Sequence, residues 1–221
     1  MPRRRRTGTA GIPYHVLNRA SRRDVLFAKA EDYRMFLDVL ARAKRRFSMR
    51  VLAFVVMPNH WHTILWPDED LQLSRFMHWL TGTHTQRWHA AHHTAGTGPL
   101  YQGRYKAIPV QTDDHFLTVA RYVERNPVRA GLADSVQDWP WSSAWHRCNH
   151  HELDLIDPWP IPEPDDWLAV VNDVQNQIHL SRVREAITRG RPFGDADWCR
   201  ETATSFNLEH TFRPQGRPGK K

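Results

Sequence analysis

The chain is 221 residues long, 40% hydrophobic, and carries 31 Lys and Arg against 24 Asp and Glu, for a formal net charge of +7. That supports one domain with a real core and an appendage, and no apolar stretch reaches the roughly 18 residues of a spanning helix, which excludes the membrane. Two distant cysteines, Cys148 and Cys199, exclude a disulfide framework and a thiolate zinc site and fit a reducing cytoplasm.

Residues 1–12 form a basic arm in which no apolar run follows Arg3, Arg4, Arg5 and Arg6, so they read as a solvated or phosphate-binding arm rather than an export signal. Tyr14 to Asn18 is a strand candidate, and a polar loop from Arg19 to Asp24 follows it. Tyr33, Phe36, Leu37, Leu40, Ala43 and Phe47 recur at helical spacing and predict an amphipathic helix from about Glu31 to Phe47. Arg50 to Met57 is an apolar, β-branched run that turns at Pro58-Asn59, and His60 to Trp66 returns as its hairpin partner. Leu73 to Ala91 again has helical period, and Gly96 to Pro99 breaks it. Tyr105 to Gln111 reads as a last strand. Asp113 to Arg125 reads as a helix capped by Thr112 or Asp113 and ended by Pro127.

The resulting order, β-α-β-β-α-β and one more helix, predicts an α+β fold: a ferredoxin-like split βαβ sandwich, with a four-stranded antiparallel sheet and two helices on one face. This topology puts the histidine strand mid-sheet, where side chains are held rigidly. The body spans residues 13–147 and closes at the aromatic knot Trp139-Pro140-Trp141-Ser142-Ser143. An acidic, Pro-rich connector follows at 148–166, then a helical extension and basic tail at 167–221, with helices at about Trp167 to Gln177, Ser181 to Arg189 and Asp195 to Phe206. Charge follows the same division. Residues 1–147 hold 22 basic and 12 acidic groups, residues 148–181 none and seven, and residues 182–221 nine and five. A basic body with an acidic connector and basic tail suits a nucleic-acid binder, and arginine, the dominant cation, matches phosphate geometry.

Two features carry chemistry. His60 and His62 stand two apart on a strand, so both imidazoles emerge on one face with Trp61 opposite. They make either half a metal site or an ordinary polar pair. Among the five tyrosines, Tyr122 stands at the margin of the stripe formed by Phe116, Ala120 and Val123, with Asn126 one turn on and Arg121, Arg125 and Arg129 around it. It is either a nucleophile facing an anion or an edge-of-core aromatic.

The segments Pro13-Tyr14-His15-Val16-Leu17-Asn18-Arg19, Met57-Pro58-Asn59-His60-Trp61-His62 and Ala120 through Leu132 resemble the single-tyrosine HUH transposases, most closely the branch of REP-associated tyrosine transposases found beside short palindromic repeats in bacteria. The likeness covers about residues 13–146, and Arg189 through Gly194 with the terminal Gly216-Arg217-Pro218 resembles that branch's tail. The resemblance implies metal ligation by His60, His62 and, with Asn in place of the Gln or Glu of other members, Asn126. It implies Tyr122 as the nucleophile, which would form a 5′-phosphotyrosine and release a 3′-hydroxyl. Imidazole, amide and water ligands favour Mg²⁺ or Mn²⁺. Single-stranded or hairpin DNA is the implied partner, with a nucleoid-associated location.

Arg3 to Arg6, Arg22, Arg23, Arg104, Lys106, Arg121, Arg125 and Arg129 are candidate phosphate contacts, and Arg217 resembles a minor-groove hook. Two other classes fit the same residues: a phosphodiesterase using activated water, and a hairpin-binding regulator without cleavage. The oligomeric state, monomer or homodimer, is left open by the sequence.

Overall fold

The computed structural model describes residues 9–149 and 154–213, so Arg3 to Arg6 and Arg217 lie outside the described residues. The expected α+β arrangement is present. Strands β1 (Tyr14–Arg19), β2 (Arg50–Met57), β3 (His60–Trp66) and β4 (Lys106–Pro109) form one antiparallel sheet in the order β2-β3-β1-β4. Helices α1 (Ala30–Phe47) and α2 (Gln72–His92) cover one face. The first begins where its own Asp32 carboxylate accepts from the backbone amides of Ala28 (3.0 Å) and Lys29 (3.2 Å), occupying donors that a helix start leaves open. Along β3, Trp61 and Leu65 join the α1/α2 core with Phe36 and Phe76. Ile64 joins a second core on the opposite face.

That second face is where α3 (Asp114–Glu124) packs, followed by α4 (Asn126–Arg129), α5 (Ser143–Asn149), α6 (Trp167–Asn172), α7 (Gln177–Arg189) and α8 (Ala196–Ser205). The sheet is therefore buried on both faces, which explains why β2 is a continuous apolar run with no polar alternation. Trp167, Val171, Leu180, Val183, Ala186 and Phe193 from the extension share the core of Phe116, Val119 and Ala120.

Both sheet edges are covered, one by the aromatic knot and the other by the segment around Phe193. The Trp139–Ser143 knot lies along β2: Val56 N–H donates to Trp141 O at 2.8 Å, and Ser143 Oγ accepts from Phe54 N–H at 3.1 Å. On the other edge Phe193 N–H donates to Pro109 O at 2.9 Å and Gln111 N–H to Phe193 O at 3.0 Å. Covering the edges removes unpaired strand groups that would otherwise recruit another chain. The Pro-rich stretch is extended, yet tied down, with Asp157 accepting from Val51 N–H at 2.7 Å and pairing with Lys44 at 3.1 Å.

Three boundaries differ from the sequence expectation. The last strand stops at Pro109 because Val110 turns to pair with Phe193. Pro127 does not end the tyrosine helix: α3 stops at Glu124, and the path restarts at Asn126 with the proline in the first turn, where a missing N–H costs nothing. In the extension α6 is shorter and α7 longer than expected, because Asn176 caps α7 by accepting from Ile178 N–H. Among the described residues no helix is long and apolar enough to cross a membrane.

Candidate active site

Strand pleating brings the polar residues of the second face together. In the β1–β3 register Leu17 lies opposite His62, Arg19 opposite His60 and His15 opposite Ile64, so His15, Arg19, His60 and His62 share one side of the sheet. His15 sits diagonally from His62, and their rings stack at 5.0 Å between centroids. Nε2 of His15 and Nδ1 of His62 are 2.8 Å apart, fully buried. Helix α3 then lowers Tyr122 onto the pair, with its ring centroid 5.8 Å from each of His15 and His62. Its start is fixed by Asp113, which accepts from His115 N–H at 2.8 Å.

Each imidazole of the pair has one nitrogen engaged. Asn59 Oδ1 lies 2.7 Å from His60 Nδ1 and can only accept, so that nitrogen carries the proton. If His62 donates from Nδ1 to His15, both histidines present a bare Nε2 lone pair. Burial also keeps them neutral. His60 is pulled down to about 4 by desolvation and by the charges of Arg19 and Arg129, and His62 falls well below its usual value from burial, then from His15 and His60 beside it and from Arg129 and Arg19. His15, held at about 3 by burial, is neutral too.

Asn126, one turn after Tyr122, is 8% exposed, and its buried Nδ2 has no hydrogen-bond partner. Among the described residues no group of three or more His, Cys, Asp and Glu could hold a metal ion, so a third donor here must be of another kind, and the carboxamide oxygen of Asn126 is a candidate. Two neutral imidazoles and a carboxamide oxygen fit a divalent cation and leave positions open for a substrate.

The three arginines around Tyr122 are engaged with the extension. Arg125 donates to the carbonyls of Val171 (2.7 Å) and Asn172, and Arg121 to that of Asp173 (3.0 Å). Arg129 lies over the Tyr122 ring, 4.4 Å from its centroid, and donates to Tyr122 O at 3.2 Å and to Gln175 Oε1 at 3.4 Å. They bind the extension to the tyrosine helix. Arg22 is exposed in a 3-10 turn, Ser21–Arg23, just beyond the Arg19–His60 end of β1. Arg104 and Lys106 are also exposed and line a cavity of ≈ 680 Å³ along the β4 edge, with Tyr105 and Arg189, where Lys106 Nζ donates to Ile187 O at 3.2 Å.

His15 and Arg19 are the site residues left unassigned by the sequence. Both lie on a strand that is legible, but only the β1–β3 register shows that they face the histidine pair.

The model of the family described as IS200-like transposases matches residues 9–126, more than half of the chain, including His15, Arg19, His60, His62, Tyr122 and Asn126. The chain belongs to the IS200-like transposase family. This transposase is 27% identical over 169 residues to the REP-associated tyrosine transposase of Escherichia coli (strain K12), a match covering 74% of this chain and 88% of that one. It also resembles a solved structure of a REP-associated tyrosine transposase bound to a REP hairpin, at 25% identity and a TM-score of 0.54, covering 71% of this chain and 94% of the other. The family match ends at Asn126, so the part of the transposase that grips the tyrosine helix from Val171 to Gln175 lies beyond it.

Proposed function

We propose that this transposase cuts and rejoins single-stranded DNA beside a palindromic hairpin, through a divalent cation and a covalent tyrosine intermediate. One observation carries the reading. Two segments some sixty residues apart in sequence set Tyr122, with Asn126 one turn on and its buried Nδ2 without a partner, against His62, whose strand also bears His60. The hairpin partner is suggested by the solved relative, which is bound to one.

His60, His62 and Asn126 would hold Mg²⁺ or Mn²⁺, which when bound polarises the scissile phosphate and offsets its charge. The remaining work falls to the chain. His15 fixes the His62 ring by its Nε2 contact, and Asn59 does the same for His60. Tyr122 Oη attacks phosphorus as the phenolic proton leaves. The bond from phosphorus to the 3′ oxygen breaks, and that oxygen takes up a proton to become the free 3′-hydroxyl. A free phenol is ionised in only about one part in a thousand at neutral pH, so close placement beside the phosphate is what the fold must supply. The 5′-phosphotyrosine keeps the phosphodiester's energy, and a second 3′-hydroxyl reverses the step.

To test this, the protein is incubated with Mn²⁺ and a fluorescent hairpin carrying single-stranded flanks, then boiled in detergent. A protein–DNA adduct that EDTA abolishes is the expected result. Cleavage with no adduct would indicate a water-using phosphodiesterase, and hairpin binding with neither cleavage nor adduct a regulator.

A further inference from the structure

The three arginines at positions 121, 125 and 129 recur every four residues, so they line one side of the α3–α4 path, and all three reach a single five-residue stretch of the extension. Arg121 and Arg125 end on backbone carbonyls, which any residue at those positions would supply. The rung at Arg129 ends on a side chain, Gln175. This rung matters most for Tyr122, because the Arg129 guanidinium lies on the Tyr122 ring.

Gln175 does not belong at a surface turn by its surroundings. Val174 beside it is 76% exposed, yet Gln175 is only 5% exposed, and its Nε2 is buried without a partner. A buried amide that satisfies only its oxygen carries a desolvation penalty, which the fold tolerates here to place an acceptor against Arg129. Arg129 itself is pulled below its ordinary range by burial, with Tyr122 pulling the other way. A desolvated guanidinium with few partners depends on each of them for its orientation.

We infer that Gln175 is a positioning residue for the reaction, acting through Arg129 to hold the Tyr122 ring in line with the histidine pair. The extension is then a working part of the catalytic apparatus, although it lies outside the span shared with the family model. This inference rests on the proposed role of Tyr122. Gln175 touches neither substrate nor cation. Its effect belongs on the rate of the chemical step and not on DNA affinity.

The test uses the full chain with Gln175→Met, which keeps the side chain's length and removes the acceptor, and Gln175→Glu, which keeps the acceptor. Single-turnover adduct formation with Mn²⁺ and the flanked hairpin should slow at least tenfold in Gln175→Met, with hairpin Kd and melting temperature near wild type. Gln175→Glu should stay within about threefold of wild type. A second readout needs no turnover: in protein labelled with 3-fluorotyrosine, the Tyr122 ¹⁹F resonance, assigned with Tyr122→Phe, should shift in Gln175→Met and stay in place in Gln175→Glu.

Wild-type rate and an unmoved resonance in Gln175→Met overturn the inference while leaving the proposed function intact. A slow step accompanied by an equal loss of hairpin affinity, or by a lower melting temperature, also overturns it in favour of a structural role. No adduct from the wild-type chain removes the reading and the inference together.

Discussion

Glu124, two residues after Tyr122, is 0% exposed and accepts from Trp167 Nε1 at 2.7 Å, from Arg147 at 3.0 Å and from Ser143 Oγ. One carboxylate thus joins the tyrosine helix to α5 and α6. Replacing it with leucine keeps the bulk and removes every acceptor. Ser143 would still have Phe54 O at 3.2 Å, and Arg147 would keep Glu163 and Leu52 O, each at 3.3 Å. Trp167, 4% exposed, would be left with a buried N–H and no acceptor, at about 1–3 kcal/mol. Loss of the charge-assisted Arg147 bond adds about 1–3 kcal/mol, since one carboxylate partner survives. The total of roughly 2–6 kcal/mol corresponds to a fall in melting temperature of about 4–24 °C for a chain of this size. Calorimetry of wild type, Glu124→Leu and Glu124→Leu/Arg147→Met measures it. The double variant should melt no higher than Glu124→Leu, because Arg147 keeps Glu163 in the single variant and its removal strips that carboxylate of its partner. A melting temperature within 2 °C of wild type for Glu124→Leu would refute the claim that this carboxylate welds the extension to the tyrosine helix.

Three further outcomes are expected. Replacing His15 with phenylalanine removes the partner of His62 Nδ1 and should weaken Mn²⁺ binding about 10- to 100-fold by isothermal titration, while an unchanged affinity would mean that the contact orients nothing. His84, held at about 3 by burial and bonded to Tyr101 Oη at 2.7 Å, is neutral when folded but has an ordinary value near 6.5 when unfolded. Its stabilising contribution is complete above pH 6.5 and is lost as the pH falls toward 3, so His84→Gln should lessen the stability lost between pH 6 and 5 by about 1 kcal/mol in urea titrations; an identical slope would contradict this. Truncation after His146 strips Trp167, Leu180, Val183 and Phe193 from the second core and should abolish cooperative unfolding, whereas a sharp melting transition would show that the body stands alone.

The sequence displays the body well because its strands and first two helices are written in strong periodicity. The alternation of His60, Trp61 and His62 reads directly as one face and its opposite, and the apolar run at Arg50–Met57 as a strand, though not as one covered on both faces. Tyr122 and Asn126 are legible because a four-residue helical spacing survives the proline at 127. What stays hidden is set by long-range packing. His15 gains its place from strand register, which no local pattern encodes. The arginines beside Tyr122 resemble a phosphate surface in one dimension, and the carbonyls they reach lie some fifty residues away at the end of α6, where the sequence reads a continuous helix. The Pro-rich acidic stretch has a linker's composition, and its anchoring through Asp157 to β2 depends on an edge formed a hundred residues earlier.

The central claim is that Tyr122 takes hold of a DNA strand beside the two histidines. Mass spectrometry of the detergent-resistant adduct after nuclease and protease digestion tests it most directly. The account predicts a nucleotide phosphate on the peptide containing Tyr122, absent from Tyr122→Phe and from His60→Ala/His62→Ala. Attachment at any other residue, or an adduct that persists in Tyr122→Phe, would contradict it.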